Sequence, residues 1–330
     1  MSPPDSFIKA HLADTLTQVE LLLDYKRIHH GKVRDTFEIN NKRILITTDR
    51  QSAFDRILAD IPFKGQVLNQ ISEFWFEKTS DIVPNHMIAA PDPNVMIVKK
   101  AKVFPVEVIV RGYLTGSTST SAWVNYSNGV RDFCGVMLPE GMKKNEKFDK
   151  AIITPTTKEE DHDRSISPKE IVEQGFVAEE KWKKIEEYAI KVFERGSEIA
   201  AENGFILVDT KFEFGEDADG NIMLVDEVLT PDSSRYWRKD TYEEKMSKGE
   251  EPDSFDKEFL RLWFTQNCNP YDDKILPKAP DELRIELSKR YIEAYENLTG
   301  NYFSPALGSP TPLARIQKNI RTYLEDEGEI

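Results

Sequence analysis

The stretch GKVRDTFEINNKRILITTD, which begins at Gly31, alternates apolar or β-branched residues with polar ones on both sides of the turn-forming pair Asn40-Asn41, and this predicts a β-hairpin. Residues 95–111, VMIVKKAKVFPVEVIVR, predict two more strands broken at Pro105, where a strand interior would lose a backbone donor, and they lead into the loop GYLTGS. Across residues 179–203 the apolar positions Trp182, Ile185, Ala189, Val192, Phe193 and Ala200 lie on one helical stripe that Asn203-Gly204 ends. That helix delivers the chain into FILVDTKFEFG, the turn-rich EDADGN and IMLVDEVLT, a second hairpin with β-prone arms. Residues 239–256 are polar and charge-rich and predict a surface loop. A last long helix follows Pro277 and Pro280 over residues 282–298 and closes at Thr299-Gly300. In the tail, Leu313, Ile316, Ile320, Tyr323 and Leu324 share a helical face, which predicts a helix docked on the body or on a neighbouring copy, so an oligomer is left open.

Grouped strands with intervening helices, without strict βαβ alternation, predict an α+β fold. A chain of 330 residues with 39% hydrophobic content exceeds the usual single-domain size and predicts two packed lobes. The boundary is expected near residues 110–116, where a strand gives way to a Gly- and Ser-rich loop. This sets an N-terminal lobe over 1–112, a C-terminal lobe over 113–302 and a tail over 303–330. No run approaches the roughly 20 apolar residues of a membrane span, and the start MSPPDSFIKA lacks a basic-then-apolar signal pattern, so a cytoplasmic protein is expected. The net charge of −14 argues against general binding of nucleic acid or anionic membranes, since both need a basic surface. Cys134 and Cys268 are far apart and have no companion at metal-ligand spacing, so neither a disulfide framework nor a zinc site is expected.

Against that acidic background, charged residues inside β-prone segments become the candidate chemistry. In FILVDTKFEFG the period of two puts Asp209, Lys211 and Glu213 on one face and Val208, Phe212 and Phe214 on the other. Asp226 sits among apolar residues in the returning arm. A solvated sheet with ordinary ion pairs explains the same pattern. In DEVLTPDSSR, Pro231 forces a turn, and Asp232, Ser234 and Arg235 around it make an anion-recognition corner or an ordinary loop. Gly31 and Lys32 open a hairpin able to close over phosphates, although this is not a Walker A motif and Gly-Lys pairs are common in turns. Alternation places Glu107 and Arg111 on one strand face. Ser117 falls at the expected start of a helix running through Trp123, where it either binds an anion with the free N–H groups or caps the helix. The histidines form no regular metal pattern. His162 stands in a polar loop, and His29-His30 reads as a surface pair.

Taken in order, GKVRD, TDRQSAFD, KGQVLNQISEFWF, VEVIVRGYLTGS, ITPTTKEEDHD, DTKFEFG and DEVLTPDSSRYW resemble the SAICAR synthetases, over roughly residues 31–300 and most like their long, eukaryote-like form. The resemblance implies a two-lobed α+β fold with an ATP-grasp-like cleft that holds ATP between the lobes. It also implies a reaction of purine biosynthesis. ATP and Mg2+ activate the carboxylate of carboxyaminoimidazole ribotide (CAIR), through an acyl phosphate, and the amine of L-aspartate attacks it. The products are SAICAR, ADP and phosphate. A carboxylate is a poor electrophile, so phosphorylation turns one of its oxygens into a leaving group while cations offset the charge of the assembled anions.

Carried over by motif, Lys32 and Arg34 are implied to cover the phosphates, and Glu107, Glu213 and Asp226 to bind ATP, the last two also as magnesium ligands. Arg111, Ser117, Asp232, Ser234 and Arg235 are implied to bind the ribotide, Asp209 and Lys211 to act in catalysis, and Ser52 and Asp55 to lie near aspartate. Two other readings fit parts of the pattern. One is a kinase-like or ATP-grasp phosphotransferase acting on a different acid, against which RGYLTGS and DSSR speak. The other is a nucleotide-binding regulatory protein without turnover, against which the intact set of Lys32, Lys211, Glu213 and Asp226 speaks.

Overall fold

The computed structural model describes residues 2–21, 25–54, 56–158, 164–255, 258–308 and 310–330. In chain order the elements are α1 (Asp5–Ala10), β1 (Lys26–His30), β2 (Arg34–Ile39), β3 (Lys42–Thr47), β4 (Arg50–Ala53), β5 (Arg56–Asp60), α2 (Lys64–Lys78), β6 (Met87–Asp92) and β7 (Val95–Lys99). There follow β8 (Lys102–Tyr113), α3 (Ala122–Ser127), β9 (Asp132–Phe133), β10 (Val136–Met137), β11 (Lys147–Ile153), β12 (Thr156–Thr157), α4 (Pro168–Glu173) and α5 (Glu179–Glu202). The chain ends with β13 (Phe205–Glu216), β14 (Ile222–Val225), β15 (Ser234–Arg238), α6 (Lys239–Lys248), α7 (Glu258–Asn267), α8 (Asp281–Thr299) and α9 (Pro312–Asp326).

Contacts divide the chain into two units, one of Met1–Phe74, Met87–Lys100 and Phe255–Ile330 and one of Trp75–His86 and Ala101–Ser254. The boundary expected near residues 110–116 falls inside the second unit, because β8 runs unbroken to Tyr113 as a central strand.

The first unit is built on an antiparallel sheet of order β1-β2-β3-β7-β6. The hairpin expected around Asn40-Asn41 is β2–β3, and Asn40 supplies the left-handed residue of the turn with φ of 48°. In the central strands, β3 buries Ile44 and Ile46 on one face and Leu45 on the other, and β7 buries Val95 and Ile97 on one face and Met96 and Val98 on the other. The tail helix α9 lays Ile316, Ile320 and Leu324 against Phe37, Ile39, Ile44, Ile46, Val95 and Ile97, so the face read from its periodicity docks in cis.

The second unit is an antiparallel sheet of order β11-β8-β13-β14, with β12 also pairing β8 and β15 also pairing β13. α5 covers it with the stripe expected from the sequence: Trp182, Ile185, Ala189, Val192, Phe193 and Ala200 are all buried.

Three local expectations are corrected. Pro105 does not break the strand. It sits within β8 opposite a register shift between Glu213 and Gly215 of β13, and that irregularity accommodates a residue with no N–H to donate. Residues 239–248 form α6 rather than a loop, since the polar run is rich in helix formers, buries Tyr242 and ends at Gly249 in the left-handed conformation. Ser117 does not start a helix. α3 begins at Ala122 with Ser121 as its cap, whose Oγ accepts the Val124 N–H at 3.4 Å, while Ser117 lies exposed in the preceding loop.

Candidate active site

β13 organises the charged face of the second unit. Val208, Phe212 and Phe214 are buried on one side of it, and the pleat therefore turns Asp209, Lys211 and Glu213 to the other. β8 supplies the neighbours: Arg111 pairs with Asp209 in register, and Glu107 with Glu213.

At the Asp209 end two guanidinium groups converge on one carboxylate oxygen. Asp209 Oδ2 is 3.4 Å from Arg111 Nη1 and 3.2 Å from Arg235 Nη1. Arg111 is buried and also donates to Thr154 Oγ1 at 2.7 Å and to the Thr120 carbonyl at 3.1 Å, which fixes its fork. Two cations on one carboxylate leave this end net positive and suited to an anion. Gly116 brings the RGYLTGS loop close: its φ is 108°, and a Cβ there would lie 2.4 Å from Ser121 Cβ and 3.3 Å from Arg235 Nη1. Asp232 is half-buried in the turn before β15. Ser234 is placed differently from Arg235. It pairs in register with Thr210, and its Oγ lies 2.8 Å from Thr210 Oγ1, on the face away from Asp209.

At the other end Lys211 Nζ donates to Glu107 Oε1 at 2.8 Å and to Glu213 Oε1 at 3.1 Å, while the other Glu213 oxygen accepts from Lys158. Desolvation works against the Lys211 ammonium, but Glu213, Glu107 and Asp226 outweigh it and raise its pKa above the ordinary lysine value. The same balance in reverse acts on Glu213. Burial would raise its pKa, yet Lys211 and Lys158 bring it below the usual carboxylate range. Lys158 is the residue that sequence reasoning passed over. It was visible inside ITPTTKEEDHD, and β12 pairing with β8 carries it to Glu213.

Asp226 is not the register partner of Glu213, and continuing β14 in the same register would set it opposite Phe212 instead. The partner of Glu213 is Val225, and β14 ends there. Asp226 has φ of 65°, so the chain leaves the strand at this residue, and its charge still reaches Lys211. Among the described residues no group of three or more His, Cys, Asp or Glu forms a metal cage. Glu213 and Asp226 are hard oxygen donors, which fit a divalent cation that takes its remaining ligands from phosphate and water.

In the first unit, exposed Lys32 and half-buried Arg34 flank the turn into β2, and Ser52 lies half-buried in β4. Asp55 and His162 lie outside the described residues. His30 Nδ1 is 2.6 Å from Asp35 Oδ1, so the histidine pair read as a surface pair has one member tied to a buried acid. Both cysteines are free. No helix among the described residues is long and apolar enough to cross a membrane.

The chain is similar to known proteins over most of its length. The pattern that defines SAICAR synthetase matches residues 27–278. The phosphoribosylaminoimidazole-succinocarboxamide synthase of Legionella pneumophila (strain Paris) is 54% identical over 306 residues, 92% of this chain and 98% of that protein. The solved structure of the SAICAR synthase of Saccharomyces cerevisiae complexed with SAICAR aligns with a TM-score of 0.76 at 38% identity, covering 88% of this chain and 99% of that one. A type-2 SAICAR synthetase in complex with ADP aligns with a TM-score of 0.64 at 26% identity over 84% of this chain and 99% of its own. With most of its length matched at such identity, the chain belongs to the SAICAR synthetase family, the ligases that join L-aspartate to the carboxylate of carboxyaminoimidazole ribotide in purine biosynthesis.

Proposed function

We propose that the ligation runs along the charged face of β13, with the ribotide's anionic groups at the Asp209 end, the phosphates of ATP at the Glu213 end and Lys211 between them. The observation that carries this reading is the change of charge along one strand. Arg111 and Arg235 outnumber Asp209 at one end, and Glu107, Glu213 and Asp226 outnumber Lys211 and Lys158 at the other. Same-face residues two apart on a strand are separated by about 7 Å, so the Lys211 stem reaches toward both ends.

Arg111 and Arg235 bind the ribotide phosphate as paired forks, with Ser117 adding a hydroxyl and Asp232 accepting from the ribose hydroxyls. Ser234 serves this site by holding the turn through Thr210 rather than by touching the ligand. Lys32 and Arg34 bind ATP phosphates, and Ser52 with Asp55 contributes to the aspartate pocket. Glu213 and Asp226 hold Mg2+, which when bound offsets phosphate charge and makes the γ-phosphorus more electrophilic.

The chemistry balances with the substrates alone. An oxygen of the CAIR carboxylate attacks the γ-phosphorus, the bond to the β–γ bridging oxygen breaks, and ADP leaves with that electron pair. The aspartate amine then attacks the acyl carbon, phosphate leaves with the phosphorylated oxygen, and the nitrogen gives up its surplus proton as the amide forms. Lys211, held protonated by its carboxylates, steadies the negative charge on the transferring phosphoryl group and Asp209 keeps the arginines oriented.

The test is ADP release from the full-length protein with ATP, Mg2+, CAIR and L-aspartate together and with each acceptor omitted. ADP and SAICAR are expected in equal amounts only with both acceptors present. Equal ADP release without either acceptor would contradict the reading.

A further inference from the structure

We infer that Arg50 is a positioning residue for the nucleotide: its buried guanidinium holds the turn at residues 31–34 in the shape that presents Lys32 to the phosphates of ATP. The inference rests on the reading of that turn as a phosphate cover. Arg50 is 3% exposed, and every N–H of its guanidinium has an acceptor. Nη2 donates to the Gly31 carbonyl at 2.9 Å and to Asp35 Oδ1 at 2.7 Å. Nη1 donates to the Thr17 carbonyl at 2.8 Å and to Asp35 Oδ2 at 3.4 Å, and Nε donates to the Lys32 carbonyl at 3.4 Å. Two consecutive carbonyls of the turn are therefore held by one planar cation. The turn is already tight. The Gly31 N–H donates to the Arg34 carbonyl at 2.8 Å, a Cβ at Gly31 would lie 2.8 Å from that same oxygen, and the Thr48 hydroxyl donates to the Val33 carbonyl at 2.6 Å.

The cation is itself anchored in the core of the unit. The Arg50 carbonyl accepts from buried Lys64 Nζ at 3.0 Å. Its chain neighbour Asp49 accepts from the Leu16 and Gly65 N–H groups at 2.7 and 2.8 Å. Rigid backbone thus fixes the guanidinium, and the guanidinium fixes the turn. Lysine at this position would offer one point of donors in place of a fork and could not serve both carbonyls and Asp35 together.

The experiment measures KM for ATP, CAIR and L-aspartate in full-length wild type, Lys32→Ala, Arg50→Gln, Arg50→Lys and the double variant Lys32→Ala/Arg50→Gln. Freeing the backbone of even one turn residue costs about as much as a tenfold change in affinity is worth, so Arg50→Gln is expected to raise KM for ATP on the order of tenfold while the other two KM values stay put. Arg50→Lys should recover part of that loss. In the Lys32→Ala background Arg50→Gln should add little, because both act through one contact.

KM does not depend on how much of a preparation is folded, so partial unfolding lowers the apparent kcat alone. Arg50→Gln/Asp35→Asn, which leaves no unpaired buried carboxylate, should show the same selective change. A matched rise in all three KM values, or an unchanged KM for ATP in Arg50→Gln while Lys32→Ala raises it, would overturn the inference. Lys32→Ala without effect on KM for ATP would instead remove the phosphate-cover reading, and the inference with it.

Discussion

Lys211 is a group that burial alone would tend to neutralise, and the carboxylates around it reverse that tendency. Its charge therefore belongs to the resting site and does not have to be acquired during the reaction. The two acids assigned to the metal can be tested one at a time. Glu213→Gln and Asp226→Asn should each leave the far-ultraviolet circular dichroism unchanged, lower turnover on the order of a hundredfold, and shift the magnesium dependence of the rate to higher concentration. Near-normal rates at unchanged magnesium in both variants would reject the metal role and leave a structural ion-pair network. At this scale the period of two made Asp209, Lys211 and Glu213 legible as one face, because side-chain alternation is a local property of any strand. Lys158 was not legible as their neighbour. It stands 55 positions from Glu213 in the chain, and only strand pairing across the sheet brings it there.

Helices and strands whose pattern is periodic were readable, and those decided by competition were not. The buried stripe of α5 follows from apolar spacing, whereas the start of α3 lies in STSTS, five residues that all make acceptable caps. Ser121 is selected because starting there buries Ala122 and Tyr126 against Leu114, Phe133, Leu138 and Phe148. Ser121→Ala should consequently cost about 1 kcal/mol in urea unfolding. Ser117→Ala should stay within about 0.5 kcal/mol of wild type, as an exposed loop substitution does, with any effect appearing in KM for CAIR. Equal destabilisation by the two would show that the cap is not at Ser121. β14 stops short for a comparable reason: Asp226 and Leu229 both adopt positive φ, a backbone choice that apolar β-prone flanks do not reveal.

Over the whole molecule, stability should carry the mark of a buried acid outside the charged sheet. Desolvation raises the pKa of Asp49 from 3.8 to about 6 even though the Gly65 and Leu16 N–H groups and Lys64 favour its charged form. The folded state thus binds this proton more tightly than the unfolded state does. The contribution is fully present below about pH 4 and is lost as pH rises through about 6, a change of about 3 kcal/mol. Urea unfolding of wild type and Asp49→Asn across that window checks it. Wild type should lose stability relative to the variant as pH rises, and parallel curves would show that Asp49 has no raised pKa. The chain's own order of residues determined the α+β class, the alternating face of β13, the stripe of α5, the docking face of α9 and the series of motifs that marks the family, because each depends on spacing within a short segment. It did not determine that the first unit gathers its chain from both ends and a middle segment. Nor did it determine that Glu107, 104 positions away, shares Lys211 with Glu213, or that Ser234 turns from the face Arg235 joins. Those outcomes were settled only in three dimensions, since register and partner choice across long separations depend on which packing buries the most apolar surface while leaving every buried charge paired.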